Sequence, residues 1–286
     1  LSLTILGCGV ASAIGASFNA PIAGVFFALE VVIGHYALHT FTPIVISSVA
    51  GTIVSRVHFG DYPAFILPEY SIASFFEFPA FILLGILSSI VALFFMKSIF
   101  LCEDAIDKLN IPIWLRPFFA GIFIGIIALF LPQTLGIGYA ATNAALYSSL
   151  SLGLLITLVI AKTMTTAACL GCGFGGGVFS PSIFVGAMLG GAFGMFASSF
   201  FPDLASNPGF YALIGMAAVA APIIGAPIST ILIAFELTGE FSAVTAAMVS
   251  VSISCLICHR ISGGSYFTQQ LNRQGKKVYG SRLQQI

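Results

Sequence analysis

The chain has 286 residues with ten basic and ten acidic side chains, so 7% of its residues are charged and 58% are hydrophobic, and its mean hydropathy is +1.08. Because a soluble domain carries about 25% charged residues, this composition excludes a water-soluble fold and indicates an integral membrane protein. It also excludes nucleic-acid binding, which needs a basic face, and the 28 Phe exclude disorder.

Long uncharged windows predict the membrane segments. They cover residues 1–29, 31–55, 78–96, 117–161, 163–202, 204–235 and 241–259. A spanning helix needs about 20 apolar residues, so these windows hold roughly eight to ten segments. The apolar runs are continuous and do not alternate, which predicts helices rather than a closed barrel. The predicted fold class is therefore all-α integral membrane.

The two ends of the chain indicate its domain limits and orientation. The chain begins at Leu1 without an initiator Met or a basic leader, so we expect a fragment that starts inside a membrane domain. We assign residues 1–275 to this domain and residues 276–286 to a polar tail. The positive-inside rule predicts a cytoplasmic C-terminus in a multi-pass protein of the cell (inner) membrane, since basic residues follow the last apolar run: Arg260, Arg273, Lys276, Lys277 and Arg282.

A weak internal repeat interrupts an early and a late window with proline. Residues 18–30 read FNAPIAGVFFALE and residues 224–236 read IGAPISTILIAFE, with identities at five of 13 positions. Two helices that both begin at Pro would explain this match. So would the two halves of a transporter, in which broken helices form the substrate site.

Three charged residues lie within apolar surroundings, where charge is costly. Glu30 and Glu236 end the two repeat copies, and each is either a proton relay or a structural residue satisfied by backbone N–H groups. The repeat favours the structural role, because both copies carry the carboxylate. Lys162 interrupts the longest uncharged stretch and would pair with a carboxylate or extend to an interface.

Two C-x-x-C pairs, Cys169/Cys172 and Cys255/Cys258, have a spacing used for zinc, and residues 255–259 match a haem-attachment string. Both pairs lie in or beside apolar runs, where Cys behaves as a small hydrophobic residue. We therefore expect no metal site and no cofactor. A membrane-embedded metal or haem protein remains an alternative from another class. Nothing in the sequence indicates an enzyme, because no Ser-His-Asp set or acid pair is present.

The strongest local motif is the run GCGFGGGVFSPSIFVGAMLGG, residues 171–191. Glycines permit unusual backbone conformations, Ser180 can cap a helix, and Pro181 suits its first position. The start of that helix presents free N–H groups and a positive dipole end, which bind anions. The alternative is a glycine-rich helix contact through Gly186, Gly190 and Gly194. A dinucleotide or P-loop reading fails, because the required acid and Gly-Lys-Ser/Thr are absent.

Within this motif the sequence Gly177-Val178-Phe179-Ser180-Pro181 resembles the G-[IVL]-F-[AS]-P signature of the CLC family of chloride channels and chloride/proton exchangers. The two repeat segments also resemble segments of that family, in family order. The resemblance implies a bundle of tilted and broken helices built as inverted repeats, in a homodimer with one pore per subunit. It also implies a central anion, chloride, on the N–H groups of Val178 and Phe179. The family's G-[RK]-E-G-P and G-S-G-[IL]-P motifs are absent from these 286 residues.

Two positions depart from the family pattern. Exchangers often carry a glutamate directly after the residue matched by Glu30, and here that proton-pathway position is Val31, which cannot titrate. The family's anion-binding tyrosine aligns with Phe267, beside Tyr266, so either Tyr266 supplies the hydroxyl or the inner gate is apolar. On this basis the sequence predicts a chloride channel of the voltage-gated type in the lipid bilayer, with a chloride/proton antiporter as the alternative.

Overall fold

The computed structural model describes residues 2–61, 65, 75–109, 111–202, 204–238 and 242–275. These residues form helices without any strand, which confirms the all-α class. The tail assigned to residues 276–286 lies outside the described residues. In chain order the helices are α1 (Ser2–Phe18), α2 (Pro21–Phe27), α3 (Leu38–Phe59), α4 (Phe78–Lys108), α5 (Arg116–Phe130), α6 (Tyr139–Leu146), α7 (Leu152–Gly171), α8 (Phe179–Phe200), α9 (Pro208–Ile224), α10 (Pro227–Thr238), α11 (Ser242–Ser262) and α12 (Tyr266–Arg273).

The apolar helices fall into two length classes. Among the described residues, five segments are long and apolar enough to cross a membrane: Leu38–Phe59, Phe78–Lys108, Leu152–Gly171, Phe179–Phe200 and Ala243–Arg273. Five more are apolar but shorter, at 10–17 residues. At 1.5 Å per residue the shorter helices cannot cross a core of about 30 Å alone. The windows therefore hold broken helices as well as spanning ones.

The breaks occur where the sequence places proline after a turn residue. Asn19 adopts φ +54 between α1 and α2, and Gly225 adopts φ +81 between α9 and α10. Pro21 and Pro227 then begin the second helix of each pair, where the missing N–H costs no hydrogen bond. Arg56 donates from Nε to the Asn19 side chain at 2.7 Å and so braces the first break.

The main core surrounds α9, whose residues from Gly209 to Ile224 are all buried. Helix α8 approaches α9 so closely that a Cβ at Gly186 or Gly190 would collide with backbone carbonyl oxygens of α9. Lipid provides no hydrophobic drive between helices, so close backbone packing through small residues stabilises the pair. The glycine-contact reading is thus correct for the second half of the 171–191 run.

Helices α1 to α3 form a smaller core around Ala11, Val25 and Ile44. Serine hydroxyls on α3 connect it to α1, because Ser47 donates to the Cys8 carbonyl at 2.9 Å and Ser55 to the Ala16 carbonyl at 2.8 Å. These bonds need no water, so they suit a lipid-embedded helix pair.

A buried carboxylate connects the start of α4 to the α8–α9 connection. Glu77 is 3% exposed and accepts hydrogen bonds from the Ser206 N–H at 2.7 Å, the Ser206 hydroxyl at 2.8 Å and the Tyr211 hydroxyl at 2.5 Å. Three donors compensate for the desolvation of this group. Among the described residues these donors are neutral, and through them Glu77 connects the start of α4 to the α8–α9 connection.

Candidate anion site

The glycine run ends at the first turn of α8, where backbone donors are free. Helix α8 begins at Phe179, with Val178 as its N-cap residue, and no described side chain caps it. Among the described residues, the N–H groups of Val178, Phe179 and Ser180 have no acceptor. Since the first N–H groups of a helix need partners, this end is suited to an anion.

The local structure corrects two details of the sequence prediction. Ser180 is not the cap, because the helix starts one residue before it, and Pro181 occupies the third helical position rather than the first. The left-handed conformation lies at Gly173, with φ +82, and not at Gly177. A Cβ at Gly177 would meet no described atom within 4 Å, so this glycine leaves room in front of the helix end.

The first repeat segment contributes aromatic walls to the same place. The Phe179 ring lies 4.9 Å from the ring of Phe18, at the end of α1, and 6.3 Å from that of Phe27, at the end of α2. The α1–α2 break and the start of α8 therefore meet at one point. These contacts could not be predicted from the sequence, although Phe18 and Phe27 lie on either side of Asn19-Ala20-Pro21, where the helix breaks.

The carboxylates of the two repeats cap each other's helices. Glu30 accepts the Ile228 N–H at 3.1 Å, the Ser229 N–H at 2.8 Å and the Ser229 hydroxyl, all at the start of α10. Glu236 accepts the Ile22 N–H at 2.9 Å and the Ala23 N–H at 2.7 Å, at the start of α2. Such reciprocal capping requires α2 and α10 to lie antiparallel, as inverted repeats do. Each carboxylate also faces a positive helix end.

Glu30 and Val31 point in different directions from a π-helical turn, Ala28–Ile33, which ends at Gly34 with φ +75. The Glu30 carboxylate reaches α10, while Val31 is half-buried against the main core. Because the Glu30 carboxylate is hydrogen-bonded at α10, it does not supply the titratable group that Val31 lacks.

The two aromatic residues at the start of α12 differ in burial. Tyr266 is 6% exposed and its ring stacks on Phe100 of α4 at 5.3 Å and 17°. Phe267 is 37% exposed and meets Tyr266 edge-on at 5.6 Å. The ring contacts of Tyr266 are thus with α4 and Phe267, whereas those of Phe179 are with α1 and α2.

One cysteine of each C-x-x-C pair is buried in the protein. Cys172 and Cys258 are buried, and the Cys258 thiol donates to the Ser89 carbonyl at 3.4 Å. Across the described ranges, no three His, Cys, Asp or Glu side chains converge as metal ligands would. Within those ranges no geometry supports the metal or haem alternative.

The chain matches a family of known membrane proteins along most of its length. A family model described as "Voltage gated chloride channel" matches residues 2–259. The chain belongs to the CLC family. The resemblance at Gly177–Pro181 and the predicted fold are therefore confirmed.

Relatives in this family carry both transporter and channel names. The H(+)/Cl(-) exchange transporter ClcA of Vibrio cholerae is 30% identical over 99% of this chain and 61% of its own length. The chloride channel protein CLC-e of Arabidopsis thaliana is 33% identical over 89% of this chain and 39% of its own length. This CLC chain thus spans about three fifths or less of these relatives.

Solved CLC structures share the fold. A slow cyanobacterial Cl−/H+ antiporter superposes with a TM-score of 0.87 at 24% identity, covering 95% of this chain and 64% of the other. A CLC-type fluoride/proton antiporter gives a TM-score of 0.78 at 20% identity, covering 93% and 65%. At these identities the likeness establishes the helix arrangement alone.

Proposed function

We propose that this chain forms the anion pathway of a chloride transporter and that transport is coupled to protons. The observation that carries the proposal is the start of α8, where three backbone N–H groups have no acceptor among the described residues and a Cβ at the preceding Gly177 would meet nothing within 4 Å. Backbone dipoles attract a small anion without a full opposite charge in contact with it, so the anion can also leave. The chloride in the name of the Vibrio cholerae relative supports this choice of ion.

Proton coupling replaces the passive channel that the sequence alone favoured. Relatives named H(+)/Cl(-) exchange transporters match 94–99% of the chain at 30–31% identity, which favours exchange. A channel stays the second candidate, because Val31 cannot carry a proton and Glu30 is engaged at α10. Exchange through this chain therefore needs a water chain or another carboxylate, since an isolated charge in low-dielectric protein costs several kcal/mol.

The inner end of the pathway, the orientation and the oligomer complete the proposal. Phe267 forms an apolar inner gate, because Tyr266 is held on Phe100. The C-terminus is cytoplasmic, because basic residues follow the last spanning helix.

Two copies of the chain associate in the inner membrane through α3 and α11. The outward faces of these helices are apolar, and Ile53 and Met248 on them are 54% and 53% exposed.

The test is a flux measurement on the protein, in the longest form that its gene encodes, reconstituted in liposomes. An outward chloride gradient is imposed while external chloride and pH are recorded together. We expect chloride efflux accompanied by uphill proton movement at a fixed ratio. Chloride efflux without proton movement would establish the channel instead, and no chloride efflux from folded protein would refute both.

A matched pair of variants locates the pathway. Gly177→Val puts a branched side chain in front of the α8 start. Its Cβ would meet nothing within 4 Å, so we expect a folded protein with little chloride flux. Gly125→Val is the control, because its Cβ also meets nothing within 4 Å but lies on α5. Equal flux in both variants would remove the α8 start from the pathway.

A further inference from the structure

Lys162 is a buried charge whose surroundings differ from both sequence-based expectations. It lies in the middle of α7 and is 4% exposed, so its side chain does not extend to an interface. Its ammonium donates to the Thr134 carbonyl at 2.7 Å and the Gly136 carbonyl at 2.8 Å. The same Nζ lies 5.1 Å from the centre of the Phe184 ring on α8.

These contacts satisfy the ammonium but do not neutralise it. Within the described ranges, the ion pairs involve only arginine, and no carboxylate lies within 4 Å of Lys162. Carbonyl oxygens and an aromatic face supply partial negative charge to a protonated amine, but they supply no full opposite charge. A charge inside a membrane protein is costly, which indicates a role beyond packing.

The position of this charge relates it to the α8 start. Phe184 follows Phe179 by five residues, which places it about 7.5 Å further along the helix axis. Gly138, in the same connection that holds the Lys162 ammonium, approaches the Phe184 ring so closely that a Cβ there would collide with it. Lys162, the 131–138 connection and the first half of α8 thus form one packed unit, with the ammonium on the order of 10 Å from the free N–H groups.

We propose that Lys162 is the fixed positive charge that raises chloride occupancy at the start of α8 without contacting the ion. This inference rests on the proposed anion pathway. A cation in direct contact would hold the ion, whereas one at a distance lowers the energy of the occupied site and leaves the exit open. At about 10 Å and an effective dielectric constant near 20, one charge changes an anion dissociation constant on the order of tenfold.

The experiment measures chloride binding to purified protein by titration calorimetry. Lys162→Gln is the main variant, because its amide keeps donors for the two carbonyls and removes the charge. We expect its chloride Kd to rise roughly tenfold. Lys162→Arg keeps the charge, so its Kd should stay within about threefold of the unsubstituted protein. Lys108→Met is the control at the exposed end of α4 and should leave the Kd unchanged.

Thermal stability in gluconate separates a charge effect from a structural one. A Lys162→Gln protein that melts earlier but binds chloride as tightly as the unsubstituted protein would make Lys162 a structural tie and overturn the inference. If Lys162→Gln and Lys162→Met both fail to fold while Lys162→Arg folds, the ammonium serves stability and the inference also fails. Absence of chloride binding in the unsubstituted protein would instead refute the proposed function.

Discussion

Removing the Glu236 carboxylate tests the reciprocal caps. Glu236→Ala leaves the Ala23 N–H without an acceptor inside the protein, since Ala23 is fully buried, and exposes the Ile22 N–H at a half-exposed position. An unsatisfied buried donor costs about 1–3 kcal/mol, and loss of a charged group at a helix N-terminus adds about 0.3–1 kcal/mol. We expect a destabilisation of about 1–4 kcal/mol.

The short α2 helix makes this loss visible, because seven residues do not hold a helix without tertiary support. Thermal unfolding in detergent at a fixed scan rate should show a Tm lower by roughly 3–12 °C. The Tm of Glu236→Gln should fall between those of the unsubstituted protein and Glu236→Ala, since the Gln amide oxygen accepts a hydrogen bond but carries no charge. Glu103→Ala removes a half-exposed carboxylate at the end of α4 and should change the unfolding free energy by less than about 0.5 kcal/mol.

A double-mutant cycle extends this test to the second cap. Glu30→Ala removes three acceptor contacts from the start of α10 and should destabilise by a similar amount. Because α2 and α10 pack together, the double variant should depart from additivity by at least about 0.5 kcal/mol. If Glu236→Ala and Glu103→Ala have the same Tm, the Glu236 carboxylate does not act as a cap and the reasoning fails.

Further predictions concern helix packing, the buried carboxylate and the subunit contact. Gly190→Ala should destabilise by about 1–3 kcal/mol or more in the same melting assay, because its Cβ would enter the α9 backbone; an unchanged Tm would contradict the close α8–α9 contact. Tyr211→Phe should cost about 1–3 kcal/mol through the lost bond to buried Glu77, and a neutral result would mean that the hydroxyl is dispensable. Trp at Ile53 should yield monomers in size-exclusion chromatography, whereas Trp at Ile90 on α4 should not; the reverse result would place the contact on α4.

Sequence patterns predicted the helical class, the proline breaks and the glycine-preceded helix start, because each depends on local chemistry. Proline breaks the helices at Asn19-Ala20-Pro21 and at Gly225-Ala226-Pro227, because it cannot donate a backbone hydrogen bond. The free N–H groups follow from a helix start without a capping side chain. The predicted helix start was wrong by two residues, since Ser180 suits an N-cap but Val178 occupies that position. Helix boundaries depend on packing that local propensity does not contain.

Contacts between residues that are far apart in the chain could not be predicted from the sequence. The Glu30 contact joins residues 198–199 positions apart, and the Lys162 contacts depend on how the 131–138 connection folds back. Apolar periodicity does not separate lipid-facing from core-facing positions in a membrane chain, since both are apolar. The glycine-rich run at residues 171–191 also has two structural roles: its first half leaves open space and its second half packs on α9.

The most direct test of the central claim is the position of a bound halide. Crystals of the protein grown in bromide, measured at the bromine absorption edge, would locate the ion by anomalous scattering. We expect a peak about 3.0–3.5 Å from the backbone nitrogens of Val178 and Phe179, at hydrogen-bonding distance for this larger anion and in front of Gly177. Ordered bromide elsewhere in the membrane domain, with no peak at the α8 start, would contradict the assignment.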